Sequence, residues 1–314
     1  MIISASRRTD IPAYYSDWFF NRVRDGFALV RNPMNIHQIS KIKLTPDVVD
    51  GIVFWTKNPI PMIDRLSELK EYMYYFQFTI TPYGQDVEPN LPSKNDKILT
   101  AFKRLSDMVG ANRVIWRYDP IMISNRYPVD YHIRAFEKIA EELHNYTQKV
   151  IISFIDEDYR GVKSNVRELN LLDFPILTQT ELSSYFAQIS HSYGLSIDTC
   201  AEKIDLQNFG IGHARCIDDR LFENLLNCHL SIDKDKTQRL ECGCASSIDI
   251  GMYNTCRNGC RYCYANYAQK TVMENFARHS PHSPLISGEV GSDDKINERE
   301  VKSCKEAQLR FGDL

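Results

Sequence analysis

RVIWRYDP (113–120), DYHIRAFEKIAEELHN (130–145) and VIISFI (150–155) follow one another with short polar gaps. The first run is β-branched and aromatic, then turns polar, and its length suits a strand. In the second, Ile133, Phe136, Ile139, Ala140 and Leu143 recur every three or four residues and share one helical face. The third is apolar at nearly every position, as in a strand covered on both faces. Strand, helix and strand in this order form the unit of a parallel sheet with a helical crossover.

The alternation continues in both directions. Ile2–Ser6, Gly51–Trp55, Tyr74–Ile80 and Leu195–Thr199 read as further strands, and Ser247–Ile250 as a weaker one. Helical spacing marks Ile63–Lys70, Thr180–Tyr193 and Lys97–Val109, the last with Asn95 or Asp96 as its cap. Six or seven such units predict an α/β protein built as a partial or complete (β/α) barrel. Neither G-x-G-x-x-G nor G-x-x-x-x-G-K-[ST] is present, which argues against an open nucleotide-binding sheet. No internal repeat or long linker divides the chain. Residues 1–275 read as one barrel-like domain, and 276–314 as a C-terminal extension. The part from about His279 to Glu300 is loop-like, being rich in Ser, Pro, Gly and charge.

Composition narrows the class. Of 314 residues, 43% are apolar and 25% charged, with a net charge of −3, so a core can be buried and a disordered chain is excluded. Broad nucleic-acid affinity usually needs a basic excess that is missing here, although a local basic patch stays open. No run reaches the roughly 20 apolar residues of a membrane span. The arginines of MIISASRRTDIP follow its apolar residues, the reverse of a secretory signal, so a cytoplasmic protein is expected.

Polar residues cluster where the predicted strands end. Ser6-Arg7-Arg8-Thr9-Asp10, Trp55-Thr56-Lys57-Asn58-Pro59 and Thr79-Ile80-Thr81-Pro82-Tyr83-Gly84 close the first three. Trp116-Arg117-Tyr118-Asp119-Pro120, Asp156-Glu157-Asp158 and Cys200-Ala201-Glu202 close the next three. Such ends form the working face of a barrel. Each cluster taken singly is also an ordinary turn.

All nine cysteines fall between Cys200 and Cys304. In a cytoplasmic chain this points to metal chemistry rather than disulfides. The sharpest pattern is Cys256-Arg-Asn-Gly-Cys260-Arg-Tyr-Cys263. Three thiolates on a tight loop can ligate three corners of a cubane iron–sulfur cluster, leaving one iron open to a substrate or cofactor. Gly259 lets the loop fold back. A zinc knuckle would pair C-x2-C units with a recognisable fourth ligand, and inert buried thiols would not be flanked by Arg257, Asn258 and Arg261.

C-x3-C-x-aromatic-C, with Tyr262 as the aromatic, resembles the signature of radical S-adenosylmethionine enzymes, and Tyr264-Ala265-Asn266 resembles their spore photoproduct lyase-related branch. In order, SRRTDIP, VFWTKNP, TPYG, EPN, VIWRYDP, CAE, QR, C-x-C and CRYCYAN are similar to a bacterial family of uncharacterised radical S-adenosylmethionine-like proteins. The likeness runs from Ser6 to about Lys295. It implies a [4Fe–4S] cluster on Cys256, Cys260 and Cys263, whose unique iron chelates S-adenosylmethionine, with Tyr262 beside the adenine. One-electron reduction, from a small donor such as a flavodoxin or ferredoxin, would release methionine and a 5′-deoxyadenosyl radical that abstracts hydrogen from an unidentified substrate.

In most such enzymes the cysteine loop follows the first barrel strand. Here it follows the last, so the expected barrel is circularly permuted, with Ile2–Ser6 as the family's second strand. The cysteine loop would then neighbour Arg7, Arg8 and Asp10. The family's glycine-rich segment after the second strand has no counterpart. By charge and position, Arg7, Arg8 and Arg117 are candidates for the methionine carboxylate or an anionic substrate. Asp10, Asp119 and Glu202 are candidates for an ammonium or ribose hydroxyls. Salt bridges across the barrel mouth are the alternative use of each. Trp55, Trp116 and Tyr83 are candidates for stacking.

Cys200, Cys216, Cys242 and Cys244 supply four more thiolates, for an auxiliary iron–sulfur cluster in preference to a structural zinc. Cys228 and Cys304 lack companions, and a lone His213 is more often structural. The expected protein is therefore a radical S-adenosylmethionine enzyme. Spore photoproduct lyase-like action on nucleic acid and a non-enzymatic iron–sulfur carrier or sensor are the alternatives.

Overall fold

Eleven strands organise the computed structural model, which describes residues 1–156, 162–163 and 166–306. They are β1 (Ile2–Ala5), β2 (Phe27–Asn32), β3 (Asn35–Lys43), β4 (Gly51–Thr56), β5 (Tyr74–Thr79) and β6 (Val114–Ile121), then β7 (Lys149–Phe154), β8 (Ser196–Thr199), β9 (Gly212–His213), β10 (Ile248–Asp249) and β11 (Lys295–Glu298). Eight form one parallel sheet in the order β10-β1-β4-β5-β6-β7-β8-β9. All seven predicted strands are in it. Chain order is kept except at one edge, where Ile3 pairs with Ile248 and Ser4 with Asp249. Among the described residues no ladder joins β9 to β10, so the sheet is open. The fold is α/β.

Both faces of the sheet are covered, as the apolar runs require. Ile3, Phe54, Phe76, Trp116 and Val150 point into the larger core with the helices. Alternating with them, Ile2, Val53, Tyr75, Ile115 and Ile151 face a smaller core of Phe222, Cys216, Cys242 and Cys244. Gly51 sits under the Phe222 ring, where any Cβ would overlap the ring.

The helix Val129–Leu143 buries Phe136, Ala140 and Leu143 as its stripe predicts. Phe136 stacks on Phe186 of the helix Ile176–Ser192 at 4.0 Å and on Trp116 at 4.9 Å. Two local expectations need correcting. Ile63–Lys70 is not one helix but two short turns, Ile60–Ile63 and Leu66–Leu69, the first opened by proline. The cap before Leu99–Val109 is Ser93, whose hydroxyl accepts from the Asp96 N–H, because the chain already coils at Lys94–Ile98.

A second sheet, β11-β3-β2, escapes the sequence reading. β2 and β3 form an antiparallel hairpin, and β11, within the segment read as a loop, pairs parallel with β3. β11 is exposed throughout and most of β3 is polar, so neither shows an apolar pattern. Farther on, Lys302 O accepts from the Met1 amine at 2.9 Å, and Cys304 N donates to Asp50 at 2.7 Å. Among the described residues no helix is long and apolar enough to cross a membrane.

Phe136→Ala should cost about 3 to 5 kcal/mol, because Trp116, Tyr118 and Phe186 lose their common partner. Urea unfolding monitored by circular dichroism measures it, and a loss below about 1 kcal/mol would show that the stack does not hold the helices to the sheet.

Candidate functional site

Parallel pairing sends the carboxyl ends of all eight strands to one side. There the segments after β1, β4, β6, β8 and β9 meet the cysteine loop around a cavity of 530 Å³. That volume lies in the range of small-molecule sites.

The loop is held by its backbone and by two asparagines. Asn258 donates to Asp10 at 3.1 Å and accepts from the Tyr14 hydroxyl at 2.8 Å. Asn266 donates to Cys256 O at 2.7 Å, and Arg261 N to Val87 O at 2.9 Å. Gly259 has φ +71, and Asn90 and Pro89 crowd the place of a Cβ at 3.0 and 3.1 Å. A side chain there would be strained twice over. Burial pushes the Cys256 thiol well up, Cys260 to about 12, and Cys263 up. The three are near enough that charge on Cys260 or Cys263 raises Cys256 further.

Asp10 is the anchor of this wall. It accepts from Ala13 N at 3.1 Å, Thr56 Oγ1 and Lys57 N at 2.8 Å each, and Asn258. It thus joins the segment after β1, the end of β4 and the cysteine loop. Burial raises its carboxyl and the four donors oppose that.

Beside the loop lies a buried charge cluster. Glu88 has no exposed side-chain surface and pairs with Lys57 at 2.9 Å and with Lys94. The hydroxyls of Thr81 and Tyr262 donate to the same carboxylate. Burial alone would raise Glu88, but the two ammoniums outweigh it and hold the carboxyl at about 2. Lys57 Nζ also stands 5.3 Å from the Tyr262 ring centroid. Two ammoniums against one carboxylate leave one positive charge beside Cys260.

Residues 2–265 match a family described as a domain of unknown function (DUF1848). The chain belongs to this family. The DUF1848 match runs from β1 through the cysteine loop, so it holds the whole parallel sheet and the cavity. It ends before the helix Gln269–Ala277 and β11. No curated protein matches the chain.

The DUF1848 cavity gathers both cysteine groups and the charged candidates singled out at the strand ends. Cys256, Cys260, Cys263 and Tyr262 line it, as do Cys200, Cys216, Cys242 and Cys244, with Arg7, Arg8, Asp10, Arg117, Asp119 and Glu202. Several already have partners. Arg7 pairs with Asp235 at 3.4 Å and Arg117 with Asp119, while Arg8 lies 5.2 Å from the Tyr253 ring. Glu202 accepts from Phe154 N at 2.8 Å, and burial raises its carboxyl to about 7. Cys216 and Cys200 are 3.2 Å apart, sulfur to sulfur. A hydrogen bond from Cys244 lowers Cys242 to about 7. Among the described residues, no three His, Cys, Asp or Glu side chains form a ready set for a metal ion.

Some placements differ from expectation. Trp55 lines the cavity, but Trp116 is locked in the helix-side core and Tyr83 packs behind Tyr262 at 6.1 Å, so neither can stack on a ligand there. His213 lies on β9, 3.2 Å from Thr199 Oγ1, away from the cavity. Glu157 and Asp158 lie outside the described residues. Lys57, Glu88, Lys94 and Asn258 were missed as functional candidates. Lys57 carried the strand-end signal, whereas nothing local marks burial at Glu88, in a loop, or at Lys94, which opens the Lys94–Ile98 coil.

Glu88→Gln should destabilise the protein by about 3 to 5 kcal/mol at neutral pH, since it strands two buried ammoniums. The Glu88 carboxyl is depressed in the folded state, so its contribution is full above its ordinary 4.5 and fades as pH falls toward about 2. Unfolding of both proteins between pH 7 and pH 2.5 should therefore show a narrowing gap, and a constant gap would contradict the assignment.

Proposed function

We propose that this DUF1848 chain is a radical S-adenosylmethionine enzyme, with a [4Fe–4S] cluster on Cys256, Cys260 and Cys263. One observation carries the reading. Three thiols on one tight loop, Cys256 buried and Cys260 and Cys263 half-buried, open into the strand-end cavity beside the surplus positive charge of the Lys57–Glu88–Lys94 group. A thiolate-held cluster is anionic, so it would satisfy that charge. Its thiolates bind separate irons and surround a body of atoms instead of meeting at a point. Trp55 Nε1 is buried without a hydrogen-bond partner among the described residues, and Trp55 lines the same cavity, as a wall built for a polar ligand would have it.

When bound, the cluster supplies the electron that splits S-adenosylmethionine into methionine and a 5′-deoxyadenosyl radical. The chain's own residues bind, orient and shield. Lys57 and Lys94 favour the thiolate form of the loop. Tyr262, fixed by Glu88 through its hydroxyl, offers its ring at a set angle to the cavity. Arg7 and Arg8 can each take a carboxylate in exchange for a long internal contact, and Arg117 only by giving up its pair with Asp119. Glu202, held near 7 by burial, can keep or release a proton at neutral pH.

The pairing of β10 with β1 supports a permuted, partial (β/α) barrel, since the strand before the cysteine loop then lies next to the strand that opens the chain. All nine cysteines are unpaired, in keeping with the reducing cytoplasm and with a flavodoxin- or ferredoxin-type donor.

Anaerobic reconstitution should load about four irons on the loop, and dithionite with S-adenosylmethionine should then release 5′-deoxyadenosine. Replacing Cys256, Cys260 and Cys263 together by Ala should abolish the release and remove those irons. Reversible reduction of loaded wild-type protein without any 5′-deoxyadenosine would instead identify an electron carrier.

A further inference from the structure

We propose that Cys200, Cys216, Cys242 and Cys244 form a second metal site, in which one divalent transition metal in a four-sulfur shell clasps the open seam of the sheet. This is independent of the cluster on the cysteine loop. Cys200 follows β8, Cys216 follows β9, and the Cys242-Gly243-Cys244 turn lies on the segment leading to β10. Among the described residues no ladder joins the edge strands β9 and β10, so Cys216 and the Cys242-Gly243-Cys244 turn flank the seam and Cys200 stands one strand in from it.

The sulfurs lie in a continuous row. Cys200 and Cys216 are 3.2 Å apart, and Cys244 and Cys242 line the same cavity, near enough to bear on the charge of Cys216. Fixed donors point at two of them. Arg117 Nη1 reaches Cys216 Sγ at 2.9 Å, and the Ile217 N–H reaches Cys244 Sγ at 3.4 Å. A guanidinium and an amide directed at sulfur are the outer support a metal–thiolate shell calls for. Gly243 permits the close approach, since a Cβ there would meet Ala214 O and the Arg215 side chain at 3.1 Å each. The Ala245 N–H donates to Ile217 O at 2.9 Å, so the two segments are already tied at one point.

The spacing favours a single ion over a cluster. Tetrahedral sulfur ligands about 2.3 Å from zinc stand roughly 3.8 Å apart, somewhat wider than the 3.2 Å between Cys200 and Cys216, whereas a cubane spreads its thiolates farther, over separate irons. A disulfide would account for two of the four thiols only. Among the described residues the four are a row and not a closed shell, so the ion would draw the Cys242-Gly243-Cys244 turn inward.

The test uses the Cys256→Ala, Cys260→Ala, Cys263→Ala variant, which cannot hold a cluster on the loop. Elemental analysis should find about one divalent transition metal per chain, and its X-ray absorption should show four sulfurs near 2.3 Å. Adding Cys242→Ser and Cys244→Ser should remove the metal. Should that variant fail to fold, stripping the triple variant with a chelator should lower its melting temperature, and zinc should restore it. No metal, about four irons, a shell containing fewer than four sulfurs, metal retained after the Ser substitutions, or a melting temperature indifferent to chelation would each overturn the proposal. Loss of 5′-deoxyadenosine chemistry in the wild type would leave it standing.

Discussion

The pairing of β10 with β1 is the constraint on which the cavity depends. Two residue pairs, Ile3 with Ile248 and Ser4 with Asp249, bring the last strand of the sheet against the first. Asp249 then accepts from Ser4 Oγ at 2.8 Å, Ser6 Oγ at 2.6 Å and Arg7 N at 2.8 Å, so the strand ends advance together. From there the chain runs directly into the cysteine loop, which meets Asp10 and the end of β4. Without this edge, residues near positions 7 and 260 would share no surface. The parallel direction matters equally, since only parallel strands deliver all their carboxyl ends to one side.

Burial on both sheet faces sets the electrostatic character of the site. Much of the cavity wall is buried and crowded with ionisable groups, so these must find partners. Asp10 does so with four donors, and Arg117 does so with Asp119 and the Cys216 sulfur. The Lys57–Glu88–Lys94 group sets two ammoniums against one carboxylate, and Lys57 acts on the Cys260 and Cys263 thiols. An anionic group held by those thiols would complete a balance that the polypeptide leaves open, which is the physical content of the function proposed here.

The legible and illegible parts of the chain separate along one line. Strands β1, β4, β5, β6, β7, β8 and β10 carried apolar runs, because burial on two faces demands them. The cysteine loop, Arg7, Arg8, Asp10, Arg117, Asp119 and Glu202 were marked by their place at strand ends. The strands β3 and β11 were not legible, since largely exposed strands need no apolar pattern, and the short apolar run of β2 was missed with them. Glu88 and Lys94 were not legible either, since a charged residue between strands becomes buried only through what the rest of the fold lays over it.

By itself the amino-acid order determined the parallel α/β class, the strand ends as the polar face, and two groups of thiols late in the chain, all through local spacing and hydrophobic period. Only the tertiary structure decided that both groups line one cavity, that the sheet is open between β9 and β10, and that two lysines and a glutamate lie buried beside Cys260. Those are long-range proximities, and they arise from which strand edges pair, a choice that no window of neighbouring residues encodes.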